Sequence, residues 1–152
     1  MKNEGSNAYF IIRKTRTVFP ENYRKGKWCM DKYYSRTHEW IKTNGEEAIV
    51  GITKYAAEEL GDITYVELPK ENTDIICGDS LGKIESVKAS SDCYSPISGI
   101  VIAVNHILDD DPGIINRSAE DKGWICKLDN IDLVELDDLM EEDEYLEYLE
   151  TL

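Results

Sequence analysis

Apolar and β-branched residues in this chain come in short runs, broken by Gly, Asn, Asp and Pro, and their period is mostly two. Trp40 to Gly51 reads as two strands around Asn44-Gly45, a pair that predicts a type I′ hairpin because that turn needs positive φ at both central residues. The period then changes: Thr53 is placed to N-cap a helix, Ala56, Ala57 and Leu60 share one face, and Gly61 stops it. Ile63 to Leu68 returns to strand and ends at Pro69. Further strands are expected at Ile75 to Gly78, Leu81 to Val87, Gly99 to Asn105 and Trp124 to Leu128. Such runs predict a small antiparallel sandwich or flattened barrel. From Leu133 onward the pattern is helical, with Leu136, Leu139 and Met140 on one face and Tyr145, Leu146 and Leu149 on another. The acidic run Glu141 to Glu144 between them reads as a solvated face.

Residues 1–30 lack this periodicity and hold seven Lys/Arg against two acids. Their net charge is +5, so within a total of −14 the remainder carries −19. A head that is basic and poor in acids fits an organelle transit peptide, with a disordered basic tail as the alternative. The expected division is therefore a leader over 1–30 and one folded domain over 31–152, with the body beginning near Tyr33. So acidic a body repels phosphates and steers toward basic partner surfaces, which argues against nucleic-acid binding. No apolar run approaches a membrane span. The cysteines are Cys29, Cys77, Cys93 and Cys126, with no C-x-x-C pair. The last three lie in strand-like surroundings and read as reduced structural thiols.

The chemistry concentrates at Glu85-Ser86-Val87-Lys88-Ala89-Ser90-Ser91-Asp92, with Tyr94-Ser95-Pro96-Ile97-Ser98-Gly99 behind it. One lysine sits between two strand-like runs, flanked by the small or apolar Val87 and Ala89, as in a hairpin turn that presents a single amine. Gly82 and Gly99 lie on either side, where they can relax the sheet. Glu85, three residues before Lys88, is placed to help a modifying enzyme orient the lysine. His38, beside Trp40, reads as a packed structural residue. His106 has no second His or Cys at ligand spacing, so a metal site is not expected. No nucleophile–His–acid set and no phosphate loop is legible.

These residues resemble the lipoyl-attachment segment of the glycine cleavage system H-protein family. The likeness extends from about Tyr33 to the C-terminus, through His38-Glu39-Trp40, Gly51-Ile52-Thr53, Leu60-Gly61-Asp62, Tyr65-Val66-Glu67-Leu68-Pro69, Asp109 to Pro112, Ile115-Asn116 and Gly123-Trp124. It implies a mainly β, lipoyl-domain-like β-sandwich (a barrel-sandwich hybrid) with short flanking helices and a C-terminal helix. It implies one lipoic acid, amide-linked to Lys88, and a carrier that catalyses nothing itself. Its partners would be a pyridoxal-phosphate glycine decarboxylase that loads an aminomethyl group, a tetrahydrofolate-dependent aminomethyltransferase, an FAD-dependent dihydrolipoyl dehydrogenase and lipoyl-attaching enzymes. Thr37, Glu39 and Asp92 would line the groove in which the loaded arm docks, with the Thr37 hydroxyl as an acceptor. Asp92 alternatively reads as a turn residue bonding its own backbone, and Glu39 as a capping residue at a strand edge. With the basic leader, the resemblance implies the mitochondrial matrix. Two rival functions stay open: a lipoyl relay that supplies dehydrogenase complexes without glycine cleavage, and a non-lipoylated acidic interaction module. A biotin carrier fits less well, since such domains usually flank the lysine with methionines.

Overall fold

The computed structural model describes residues 31–152, so the expectations for the leader and for Cys29 lie outside the described residues. Nine strands and four short α-helices follow in the order β1 (Asp31–Tyr34), β2 (Glu39–Thr43), β3 (Glu47–Ile52), α1 (Lys54–Leu60), β4 (Ile63–Val66), β5 (Asp74–Ile75), β6 (Ser80–Ser86), β7 (Ser90–Tyr94), β8 (Gly99–Val104), α2 (Ile107–Asp110), α3 (Ile114–Ser118), β9 (Cys126–Asp129) and α4 (Glu142–Glu150). The strands form a six-stranded antiparallel sheet, ordered β1-β2-β3-β9-β8-β5, and a three-stranded one, ordered β4-β6-β7. This is the mainly β sandwich expected from the pattern.

Alternation along the strands decides what is buried. Ile41, Val50, Val101 and Leu128 of the large sheet meet Ile63, Val66, Ile84 and Cys93 of the small one, and Ala57, Leu108 and Ile115 of the helices close the core. Trp40, one residue out of phase with Ile41, joins Tyr34, Met140 and Tyr145 in a second cluster under α4. The Trp40 indole N–H donates to the Ala119 carbonyl at 2.9 Å.

Local signals were borne out where one segment could satisfy them. Thr53 caps α1 by accepting from the Ala56 N–H, and Gly61 ends it at φ 80°. The Asn44-Gly45 hairpin forms, but not as a type I′ turn. Only Gly45 has positive φ (96°). Asn44 instead uses its side-chain oxygen to accept from the Glu46 and Glu47 N–H groups, at 2.8 and 3.0 Å. Gly82 lies where the β6–β7 register shifts, as a sheet-relaxing glycine would, and it also lets strands approach, since a Cβ there would lie 1.9 Å from the Glu67 carbonyl oxygen. Cys93 and Cys126 are buried as expected, whereas Cys77 follows the two-residue β5 and is exposed.

The helical tail divides. Leu133–Asp138 is a 3-10 turn, and Met140 then pairs with Tyr34 through two backbone hydrogen bonds of 2.8 Å before α4 begins. Leu136 and Leu139 pack on the main core, Met140 joins the second cluster, and Leu146 is exposed. The acidic run is exposed, as a solvated face should be, and it also starts the helix. Glu141 and Glu144 form a reciprocal capping box, and the following acids occupy the first turn, where the helix dipole favours them.

Gly51 faces Trp40 across β2 and β3, and a Cβ there would lie 2.7 Å from the indole ring. Gly51→Ala should therefore displace the ring and lower stability by about 1–3 kcal/mol. Urea unfolding followed by tryptophan fluorescence checks this; an unchanged midpoint would show that the second cluster yields freely.

Candidate functional site

Lys88 lies in the turn between β6 and β7. Ser86 builds that turn from both ends: its N–H donates to the Ala89 carbonyl at 2.8 Å, and its Oγ accepts from the Lys88 and Ala89 N–H groups at 3.3 and 3.0 Å. The Val87 N–H donates to the Asp62 carbonyl at 3.0 Å, which fastens the turn to the loop after α1. Val87, Lys88 and Ala89 are all exposed, so the single amine projects from a held backbone. Its stem crosses the end of α1. A Cβ on Gly61 would lie 3.3 Å from Lys88 Cε and 4.0 Å from Nζ, so the lysine stem runs close over the helix end.

That helix end borders a cleft of about 250 Å³, lined by Thr37, Glu39, Tyr55, Glu59, Leu60 and Asp92 among others. Three residues named from the resemblance, Thr37, Glu39 and Asp92, thus share one cavity, and Lys88 passes Gly61, the residue after the lining Leu60. Asp92 is not a turn residue. It lies in β7 opposite Lys83, borders the cleft, and its carboxylate is 3.5 Å from the Tyr94 hydroxyl. Glu85, in β6 between Tyr65 and Ser90, is exposed and lies outside the cleft lining.

The family model for the glycine cleavage H-protein matches residues 32–152. The chain belongs to that family. It is 43% identical over 127 residues to a Schizosaccharomyces pombe glycine cleavage system H protein named as mitochondrial, covering 80% of this chain and 75% of that one. It is 44% identical over 117 residues to the glycine cleavage system H protein of Thermotoga maritima, covering 77% of this chain and 94% of that one. The crystal structure of a glycine cleavage system H protein from Mycobacterium marinum superposes with a TM-score of 0.70 at 32% identity, covering 77% of this chain and 94% of that one.

Within this H-protein the chemistry of the cleft turns on Glu39, which is 2% exposed. Its Oε1 accepts from the Ser35 hydroxyl at 2.6 Å and from the Thr37 hydroxyl, and its Oε2 accepts from the Tyr94 N–H at 3.2 Å. Thr37 therefore donates to Glu39, and its oxygen keeps lone pairs with which it can also accept, as expected of it. Glu39 also ties the β1–β2 turn to β7, a role well beyond capping a strand edge. A carboxylate offers about four acceptor sites, and the two hydroxyls and the Tyr94 N–H take three of them. Burial pushes the carboxyl pKa above the usual 4.5, and the Ser35 and Thr37 hydroxyls with the Tyr94 and Glu39 backbone N–H groups pull it part of the way back. A desolvated carboxylate on a cleft wall suits a primary ammonium.

Sequence reasoning missed Ser35, Glu59 and Gly61 as parts of this site. Ser35 could be found only through the turn that brings it back to Glu39, closed by the Ser35 N–H donating to the Glu39 carbonyl at 2.9 Å. Gly61 was legible as a helix stop, but its proximity to Lys88 was not. His38 does pack as a structural residue, though with α1 and α4: its ring centroid lies 4.7 Å from Tyr55 and 5.8 Å from Tyr145. Among the described residues no His, Cys, Asp or Glu group could hold a metal ion.

The raised Glu39 pKa gives a signed prediction. The folded state binds this proton more tightly than the unfolded state, so the associated stability is fully present below pH 4.5 and is lost as pH rises through the folded pKa. Glu39→Gln removes that dependence, so its stability relative to the parent should increase across this interval. Urea midpoints measured as a function of pH test it; a constant difference would mean that Glu39 is not a strained anion.

Proposed function

We propose that this H-protein carries lipoic acid on Lys88 and shuttles aminomethyl cargo within the glycine cleavage system. The observation that supports this best is the continuity of amine, passage and cavity: Lys88 stands on a rigid turn, crosses Gly61 and leads to a cleft lined by Glu39, Glu59 and Asp92. That lining contains no Lys or Arg. Amide linkage of the Lys88 amine leaves it uncharged, so it would not compete with a cargo ammonium for those carboxylates. The lipoyl group, when bound, supplies a disulfide/dithiol couple and a sulfur on which cargo can ride.

The remaining work falls to this chain's own residues. Ser86 holds the turn, and the Lys88 stem runs close over Gly61. Glu39 attracts the cargo ammonium with its carboxylate, Thr37 and Ser35 orient that carboxylate, and Asp92 adds negative charge at the cleft border. The apolar walls Ile52, Leu60 and Ile84 exclude water, which protects a hydrolysable S–CH2–N linkage. Contacts worth about 2 kcal/mol would keep docked arms roughly thirtyfold in excess, a preference that a partner enzyme can still reverse.

The chain catalyses no step of the cycle. Glycine decarboxylase, the tetrahydrofolate-dependent aminomethyltransferase and the FAD-dependent dihydrolipoyl dehydrogenase act on it in turn. Lipoyl-attaching enzymes read the lysine-bearing hairpin, with exposed Glu85 orienting Lys88. The basic leader and the relative named as mitochondrial support a matrix location.

Intact mass and peptide mapping of protein from its own cells should show one lipoyl adduct on Lys88 and none in Lys88→Arg. Glu85→Ala should be lipoylated more slowly. An unmodified Lys88 in cells that lipoylate other proteins would overturn the proposal and favour the interaction module. An adduct without any reaction with glycine decarboxylase would favour the lipoyl relay.

A further inference from the structure

One polar chain in the molecule runs from the N-terminus of α1 to the cleft wall and has no part in the site described so far. Thr53, 0% exposed, accepts the Ala56 N–H at its Oγ1 as the cap of α1. The same oxygen lies 2.8 Å from the Tyr145 hydroxyl of α4, and that hydroxyl lies 2.8 Å from Nδ1 of His38, which lines the cleft. His38 is held at φ 73°, an orientation uncommon for a residue with a side chain. Tyr145 is itself stacked face to face on Tyr34, with ring centroids 4.5 Å apart.

Proton counting sets the direction of this chain. Thr53 Oγ1 already accepts from the helix, so its own proton is best spent on the Tyr145 oxygen. Tyr145 then donates to His38 Nδ1, and the neutral ring carries its proton on Nε2. Protonating Nδ1 would put three protons on two contacts and leave either the Tyr145 or the Thr53 hydroxyl proton buried without an acceptor among these groups, a costly arrangement.

We propose that the Tyr145 hydroxyl, supplied by Thr53, is a positioning group that keeps His38 a neutral wall of the arm cleft, so that a docked ammonium meets carboxylates and no competing cation. The charged and titratable groups around the ring are Glu59 and Tyr55 from α1, Tyr145 and Tyr148 from α4, Arg36 over the Tyr148 ring, the adjoining Glu39, and Asp92 at the border of the same cleft. Burial lowers the His38 pKa from 6.5, and Glu59 opposes this only in part. Below that lowered pKa the imidazolium would enter the cleft as a second cation, and docking would weaken as pH falls through it.

The arm half of this inference rests on the docking proposed above, and two readouts keep the two apart. The first is the 15N NMR of His38 in lipoylated protein without cargo. The parent should show an unprotonated Nδ1 and a protonated Nε2 at neutral pH. Tyr145→Phe, which keeps the ring on Tyr34, should mix the tautomers and raise the titration midpoint, because the neutral ring loses its donor while the half-buried imidazolium keeps water. A protonated Nδ1 in the neutral parent, or a midpoint unchanged or lowered in the variant, overturns the relay.

The second readout is the lifetime of the aminomethyl-loaded arm against pH. Its hydrolysis consumes one water and yields thiol, formaldehyde and ammonium. The lifetime should shorten several-fold as pH falls through the His38 midpoint, and this step should be absent in His38→Asn, a neutral residue that tolerates positive φ. A step that persists in His38→Asn belongs to the carboxylates and overturns the inference. If cargo on the parent is no longer-lived than cargo on free dihydrolipoamide at any pH, the docking proposal falls together with the arm half of this one. The NMR titration still decides the relay in that case.

Discussion

Two sheets of this H-protein meet at a carboxylate, Glu39, that is almost wholly removed from water. Its oxygens gather the Ser35 and Thr37 hydroxyls from the turn beside the large sheet and the Tyr94 N–H from the small one. Removing a charge from water costs several kcal/mol, and well-packed apolar residues usually hold two layers together at least as well. An anion in that position is therefore poor evidence of a stability device and better evidence of a binding one. Everything else in the site is arranged around it: the β6–β7 hairpin that projects Lys88, the Gly61 end of α1, and the apolar walls of the cleft.

The scaffold keeps the two tasks of a carrier on separate supports. The lysine belongs to the three-stranded sheet, in a turn locked by the Ser86 hydroxyl and by the Val87 hydrogen bond to Asp62. The cleft is assembled from the β1–β2 turn, α1 and β7. A group carried on Lys88 can thus move without disturbing the core, since its root is a solvent-exposed turn. Tyr145 adds a third support, because the C-terminal helix contacts both the cap of α1 and the His38 wall.

Much of the fold was legible because its signals are local. The Thr53 cap and Gly61 stop need only the residues of one helix, and alternating strands reveal which side chains point inward. The Asn44-Gly45 turn was half legible: the position was right, but the Asn44 side chain competed for backbone N–H groups and altered the turn type. Cys77 misled because an apolar run next to a glycine resembles a strand, while β5 pairs only through Asp74 and Ile75. The acidic run before α4 is solvated as read, but its Glu141–Glu144 capping box is visible only once the helix start is known.

By itself the sequence determined the lysine, its small neighbours, the hairpin that carries it and the mainly β sandwich, because each follows from short-range periodicity or an unbroken motif. Resemblance placed Thr37, Glu39 and Asp92 near one another without saying how. Only the tertiary structure decided that the Thr37 hydroxyl donates to Glu39, that Glu39 bridges the sheets, that Lys88 runs close over Gly61, and that Tyr145 reaches His38 across 107 residues of chain. Hydrogen bonds and close approaches depend on where distant segments meet, and chain periodicity carries no record of that distance.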